Sequence, residues 1–162
     1  MKSSRRTWSD PSMVTLRPAR MSDAAVILSW RNHPAVRRAS FDSRRIGREE
    51  HGRWLARVIE SPDRILLVGE EGGVPFGTVR FDIDANGRAE VSIAVDPARH
   101  GRGLGRKLLH AAVLAARSMT DIKSLLARVK EWNEPSRRLF EGECFTPAAG
   151  KDGVITFRLP VR

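Results

Sequence analysis

The sequence predicts an α/β chain of the α+β kind: a mixed, mostly antiparallel sheet of about seven strands flanked by about four helices. Three observations carry this. Apolar residues recur at helical spacing up to Glu60, then alternate with period two from Thr78 to Val95. A glycine-rich loop then opens an amphipathic helix that leads into another strand. A short helix and two closing strands complete the order βααβββαβαββ.

Residues 1–12 show no periodicity and read as a disordered tail ahead of one domain over 13–162. Val14 to Arg17 is a short strand signal closed by Pro18. Ser22 and Asp23 offer a helix cap, and Ala25, Ile27, Leu28 and Trp30 supply an apolar face before Pro34. The next helix runs from about Gly47 to Glu60, with Trp54, Leu55, Val58 and Ile59 at helical spacing and Ser61-Pro62 as its stop. Ile65 to Gly69 reads as a buried strand, and Glu71-Gly72-Gly73 turns the chain. Val79, Phe81 and Ile83 share one strand face; Thr78, Arg80 and Asp82 share the other. Asp84 to Gly87 is a hairpin turn, and the return strand puts Ala89, Val91, Ile93 and Val95 opposite Glu90, Ser92 and Ala94. Leu104, Leu108, Leu109, Ala112, Val113 and Ala116 mark a helix, and Leu125 to Val129 a strand. Asn133 to Phe140 is a short helix with Pro135 in its first turn. Phe145 to Pro160 folds back around Gly150 to Gly153.

Composition narrows the partners. The chain carries 29 Lys and Arg against 19 Asp and Glu, a formal charge of +10, mostly as arginine. Such a chain favours anionic partners. Its one cysteine, Cys144, excludes an internal disulfide and a multi-cysteine zinc site, and a small buried side chain is the expected role for it. No apolar run approaches the roughly 20 residues of a membrane helix, and Met1 to Ser12 lacks a signal-peptide apolar core. The expected location is the cytoplasm.

The stretch His100-Gly101-Arg102-Gly103-Leu104-Gly105-Arg106 is the most informative. Alternating glycines let successive N–H groups point into one concavity, and the helix start adds partial positive charge. Arg102 and Arg106 add cations around it. A P-loop needs Lys-Ser/Thr after its last glycine, but Arg106-Lys107-Leu108 follows here. A dinucleotide fingerprint has different spacing and an all-parallel sheet.

Ala89 to Pro97 followed by His100 to Gly105, together with Asn133-Glu134-Pro135-Ser136-Arg137-Arg138-Leu139-Phe140-Glu141 and Cys144-Phe145, resembles the acetyl-CoA-binding core of the GCN5-related N-acetyltransferase (GNAT) family. The resemblance spans roughly Val14 to Arg158 and implies the GNAT fold. It implies that the amides from Gly101 through Arg102, Gly103 and Gly105 to Arg106 hold the CoA pyrophosphate. Pantetheine would pair with β-strand residues around Ile93 and Val95, near Asn133, with Ser136 and Arg137 close to the phosphates. No metal is implied. The acetyl group would pass directly to an amine near Ser92 and Ile93. Two departures stand out. His100 replaces the usual Gln or Arg, and Phe140 replaces a tyrosine that often protonates the leaving thiolate, in a chain without any tyrosine.

Glu90, on the polar strand face beside the expected thioester, is a candidate base for the incoming ammonium, with an ion pair to Arg80 or Arg88 as its structural alternative. His51 is the second candidate base. Trp30-Arg31-Asn32-His33-Pro34 and Glu49-Glu50-His51 resemble a narrower branch that acetylates the 4-amino group of a nucleotide-linked deoxysugar, as in pseudaminic-acid-type pathways. The ribosomal-protein N-terminal acetyltransferases share part of this pattern. Eight arginines between Arg31 and Arg57 face three acids, which suits a small phosphorylated acceptor. Arg31, His51, Thr78 and Arg80 are the expected acceptor contacts. Trp30 and Trp54 are expected in the core. A non-catalytic basic module that contacts nucleic acid is the competing class, although no nucleic-acid motif is present. The reading includes neither nucleic acid nor membrane as a partner, and leaves open whether the chain forms a homodimer.

Overall fold

The computed structural model describes residues 14–161, so the tail expected over 1–12 lies outside the described residues. The elements are β1 (Thr15–Pro18), α1 (Ala24–Asn32), α2 (Pro34–Ala39), α3 (Arg48–Glu60), β2 (Arg64–Glu71), β3 (Val74–Ile83), β4 (Arg88–Val95), α4 (Leu104–Ser118), β5 (Ser124–Lys130), α5 (Glu134–Gly142), β6 (Thr146–Lys151) and β7 (Val154–Pro160). The seven strands form one sheet in the order β1-β2-β3-β4-β5-β7-β6. All neighbours are antiparallel except β4 and β5. The meander β2-β3-β4 and the β4-α4-β5 crossover stand where the change of period places them.

The sheet separates two cores. On one face α4 and α5 bury Leu104, Leu108, Leu109, Val113 and Phe140 against Phe81, Val91, Leu125 and Phe157. On the other, Ile27 and Trp30 of α1 and Leu55 and Val58 of α3 pack on Leu66 and Val68 of β2. Each fully buried Leu or Phe contributes roughly 1.5–3 kcal/mol. Strand alternation sends Leu67 to the first core and its neighbours Leu66 and Val68 to the second.

Several local details differ from expectation. Pro34 does not end the helical region. It occupies the first turn of α2, where its missing N–H costs nothing, and the His33 ring accepts from the Ala35 amide. Among the described residues the sheet is therefore flanked by five α-helices. Ala25 and Ile59 lie on exposed helix faces, and Trp54 is half-buried at the edge of the second core. Cys144 is exposed, not buried; it follows α5 in the left-handed region, with φ 66°. Among the described residues, no helix is long and apolar enough to cross a membrane.

Candidate active site

Strands β4 and β5 pair along three residue pairs only: Arg88 with Ser124, Ala89 with Leu125, and Glu90 with Leu126. Beyond Glu90 the strands part, β4 continuing to Val95 and β5 to Lys130. The edge of β4 that faces the opening therefore keeps backbone donors and acceptors available to an extended, amide-bearing ligand.

A groove of about 450 Å³ occupies this opening. Glu90 to Val95 form one wall, and Arg128, Val129 and Lys130 the other. The start of α5 adds Asn133, Ser136 and Phe140. Helix α2 and the residues after it add Val36 and Ala39 to Asp42, while Arg31, Arg80 and His100 complete the lining.

The glycine loop adjoins the end of β4. Gly101 and Gly103 have φ of 80° and 72°, so a left-handed backbone is the reason for glycine at both. The first α4 amide to close a helical bond is that of Lys107, to the Gly103 carbonyl. The amides of Leu104, Gly105 and Arg106 are thus left for partners outside the helix. A methyl group at Gly105 would lie 3.8 Å from Val95 Cγ2, so this helix start sits directly beside β4. The His100 imidazole is 3.1 Å from the Val95 carbonyl and ties the loop to the strand. Asn133 caps α5: its Oδ1 accepts from the Ser136 amide, which leaves Nδ2 free to donate.

Of the residues expected from sequence, Glu90, Ile93, Val95, Asn133, Ser136, Arg31 and Arg80 line one groove. Gly101, Arg102, Gly103, Gly105 and Arg106 lie on the adjoining loop and helix start. Arg137 is half-buried; its Nη1 donates to the Glu131 carbonyl and its Nε is buried without a partner. Thr78 is half-buried on β3 between Val68 and Ala94, outside the groove lining. His51 is also outside it: the ring is buried beside Trp54, and its Nε2 has no partner. Burial pushes the imidazole pKa down and the charge of Arg31 adds to this, against a bond with the Ala24 backbone.

Glu90 is paired with neither Arg80 nor Arg88, which bind Asp82 and Asp84. Its Oε1 accepts from Arg128 Nε at 2.8 Å. Arg31 donates to the Asp42 carbonyl with Nη2, and its Nη1 is buried with no partner. Burial lowers the Arg31 pKa, and Arg37 and Arg44 add to this against Asp42.

Sequence reading missed three side chains that line the groove, Phe41, Arg128 and Lys130, and a fourth, Trp132, beside them. The Phe41 ring centroid lies 4.7 Å from the Arg128 guanidinium. Lys130 Nζ donates to the Arg38 carbonyl at the end of α2, at 3.0 Å, and faces the Trp132 ring. The alternation of β5 does put Arg128 and Lys130 on one face, but only the fold brings that face under α2. Among the described residues no group of three His, Cys, Asp or Glu side chains is placed to hold a metal ion.

An open strand edge, a helix start with free amides and an uncommitted Asn133 donor fit the amides and phosphates of a CoA thioester. Comparison with known proteins agrees. Residues 13–142 match the family model described as an acetyltransferase (GNAT) domain. The chain is 33% identical over 137 residues to YwnH of Bacillus subtilis (strain 168), provisionally named a phosphinothricin acetyltransferase, covering 82% of this chain and 83% of that one. It is 31% identical over 153 residues to the L-methionine sulfoximine/L-methionine sulfone acetyltransferase of Salmonella typhimurium (strain LT2), covering 84% and 82%. The structure of yncA from Salmonella typhimurium, solved with acetyl-CoA, superposes with a TM-score of 0.75 at 29% identity over 93% of this chain and 95% of that one. The Vibrio cholerae spermidine N-acetyltransferase, in complex with CoA and spermine, shares the fold at a TM-score of 0.84 and 19% identity, over 92% and 96%. The chain belongs to the GNAT family and is an acetyl-CoA-dependent N-acetyltransferase.

Proposed function

We propose that the acceptor is a small primary amine that also carries an anionic group, of the α-amino acid type. The observation that carries this is Arg31, whose buried Nη1 lacks a partner at the groove wall. A buried guanidinium nitrogen left unpaired is costly, and one oxygen of a polar, anionic acceptor would satisfy it, leaving the acceptor's other oxygens to the cations around it. The rest of the lining points the same way: it holds Arg31, Arg80, Arg128 and Lys130 against Asp42 and Glu90, with Asp82 bound to Arg80 from outside it. The relatives are named for phosphinothricin and for methionine sulfoximine and sulfone, which are compounds of this type.

In this reading acetyl-CoA supplies the activated acetyl group. The β4 edge at Ile93 and Val95 and Asn133 Nδ2 hold its amide-bearing arm, and the amides from Gly101 to Arg106 hold its phosphates, with Arg102, Ser136 and Arg137 nearby. Glu90 accepts a proton from the incoming ammonium, directly or through water. The amine nitrogen bonds to the acetyl carbon as the C–S bond breaks. Of the two protons the ammonium gives up, one neutralises the departing thiolate and the other leaves by way of Glu90.

A nucleotide-linked amino sugar is the second reading, because its diphosphate would also satisfy Arg31. Less supports it. Arg44 is committed to Asp42 and Glu50, and neither it nor Arg37 lines the groove where a diphosphate would bind. A basic peptide N-terminus or a polyamine would bring cations to a lining already rich in them. Thiol release from acetyl-CoA in the presence of L-methionine sulfone, a 4-amino-deoxysugar nucleotide, spermidine or a short basic peptide tests the choice. Turnover of the sulfone with little of the others is the expected result, and Arg31→Met should raise the acceptor KM more than the acetyl-CoA KM. Turnover confined to the sugar nucleotide would promote the second reading; turnover confined to spermidine or the peptide would remove both.

A further inference from the structure

We propose that the Glu90–Arg128 pair reads the acceptor's adjacent charges, with Glu90 receiving the ammonium and Arg128 the α-carboxylate; this rests on the α-amino acid reading of the acceptor. An α-amino acid presents a cation and an anion on one carbon. The groove wall presents the complementary arrangement, an anion and a cation one hydrogen bond apart: Glu90 Oε1 to Arg128 Nε, 2.8 Å. The two residues come from the strands that part at this point, Glu90 being the last of β4 to pair with β5 and Arg128 lying two residues beyond its partner Leu126. Both side chains therefore stand at the mouth of the splay on the same sheet face.

Arg128 is the lining cation best placed for this. Arg80 is bonded to Asp82 and Lys130 to the Arg38 carbonyl, so neither stands beside Glu90 as Arg128 does. Arg128 spends only Nε on Glu90, so the two terminal nitrogens of its fork remain for a carboxylate. Phe41 lies 4.7 Å from the guanidinium carbon and fixes the plane of the fork. The acceptor can bind without breaking the pair: its carboxylate takes the free edge of Arg128 while its ammonium joins Glu90. Amine and anion separated by many bonds cannot use both partners at once, and an amine without an anion leaves Arg128 unused. The geometry thus selects α-amino acids over polyamines and over sugar nucleotides.

The test compares L-methionine sulfone with its decarboxylated analogue, 3-(methylsulfonyl)propylamine, as acceptors for the wild-type enzyme, Arg128→Met, Arg128→Lys and Arg31→Met. Wild type should favour the amino acid in kcat/KM by about 10- to 100-fold, the range for a hydrogen bond to a charged group. In Arg128→Met that ratio should fall close to one, with the loss borne by the acceptor KM and the acetyl-CoA KM unchanged. Arg128→Lys, which keeps the charge and loses the fork, should be intermediate. The Arg128 side chain is half-exposed, and a thermal melt checks that each variant is folded. A ratio unchanged in Arg128→Met but collapsed in Arg31→Met would assign the carboxylate to Arg31 and overturn the proposal while the α-amino acid reading stands. A wild-type enzyme indifferent to the carboxylate would overturn that reading itself.

Discussion

Arg17 holds Asp23 with two nitrogens, Nη2 to Oδ1 at 2.8 Å and Nη1 to Oδ2 at 2.9 Å, while its Nε reaches Glu70. The Asp23 side chain is 7% exposed and also accepts from the Arg20 amide. Arg17 of β1 thereby joins Glu70 of β2 to the turn that starts α1, the Asp23 carboxylate being the link to that turn.

This joint should make the fold acid-sensitive. The bonds from Arg17 hold the Asp23 pKa below its ordinary 3.8, against the opposing effect of burial. A carboxylate with a lowered folded pKa stabilises fully above the unfolded value, and that stability is lost as pH falls through the folded one. Asp23→Asn should remove on the order of 3 kcal/mol at neutral pH, as for a buried pair broken on one side. For a chain of this size that is a drop in melting temperature of about 10 °C. The deficit relative to wild type should shrink in melts taken below pH 4.

His51 works over a different range. Its lowered pKa means that the unfolded chain takes up a proton before the folded one does. Stability is then complete above the ordinary value of 6.5 and falls as pH drops below it. His51→Leu, which fills the space without a titrating group, should flatten the slope of melting temperature between pH 7 and pH 5.5. An unchanged slope would place the titrating group elsewhere.

Glu90→Gln keeps the shape of the side chain and a hydrogen bond to Arg128 but cannot take a proton. Turnover should fall by about 10²-fold, the usual scale for a positioned base, while calorimetry should give unchanged acetyl-CoA affinity. A loss of only a few-fold at every pH would leave Glu90 a positioning residue.

Gly105 gives a case in which stability and binding should move in opposite directions. The nearest atoms a methyl group would meet are Leu139 Cδ2 and Val95 Cγ2, both at 3.8 Å, an ordinary contact. Gly105→Ala should therefore hold or raise the melting temperature, since alanine favours a helix over glycine by up to about 1 kcal/mol. Acetyl-CoA affinity should nevertheless fall tenfold or more, because the added methyl group crowds the amides beside it. Unchanged affinity would move the phosphates away from this turn.

The parts of the fold that follow a period were legible in the sequence. Alternation from Thr78 to Val95 gave β3 and β4, and the glycines before Leu104 marked the start of α4. Helix α2 was not legible, because Pro34 serves equally as a stop and as a first-turn residue, and only the His33 cap decides between them. The residues proposed for CoA lie in two contiguous motifs, the kind of pattern a sequence displays. Those proposed for the acceptor do not. Arg128 meets Glu90 across 38 residues of sequence, and Lys130 meets Arg38 across 92. No local pattern records which strand register or which loop brings such residues together.

Viewed mechanically, the sheet is two panels, four strands from β1 to β4 and three from β5 to β6, hinged along three residue pairs. A rod-like molecule laid along the open edge of β4 and fastened at Asn133 would act as a brace across that hinge. Loading the first substrate would then stiffen the frame against which the second is aligned, and so favour an order of arrival without any further moving part.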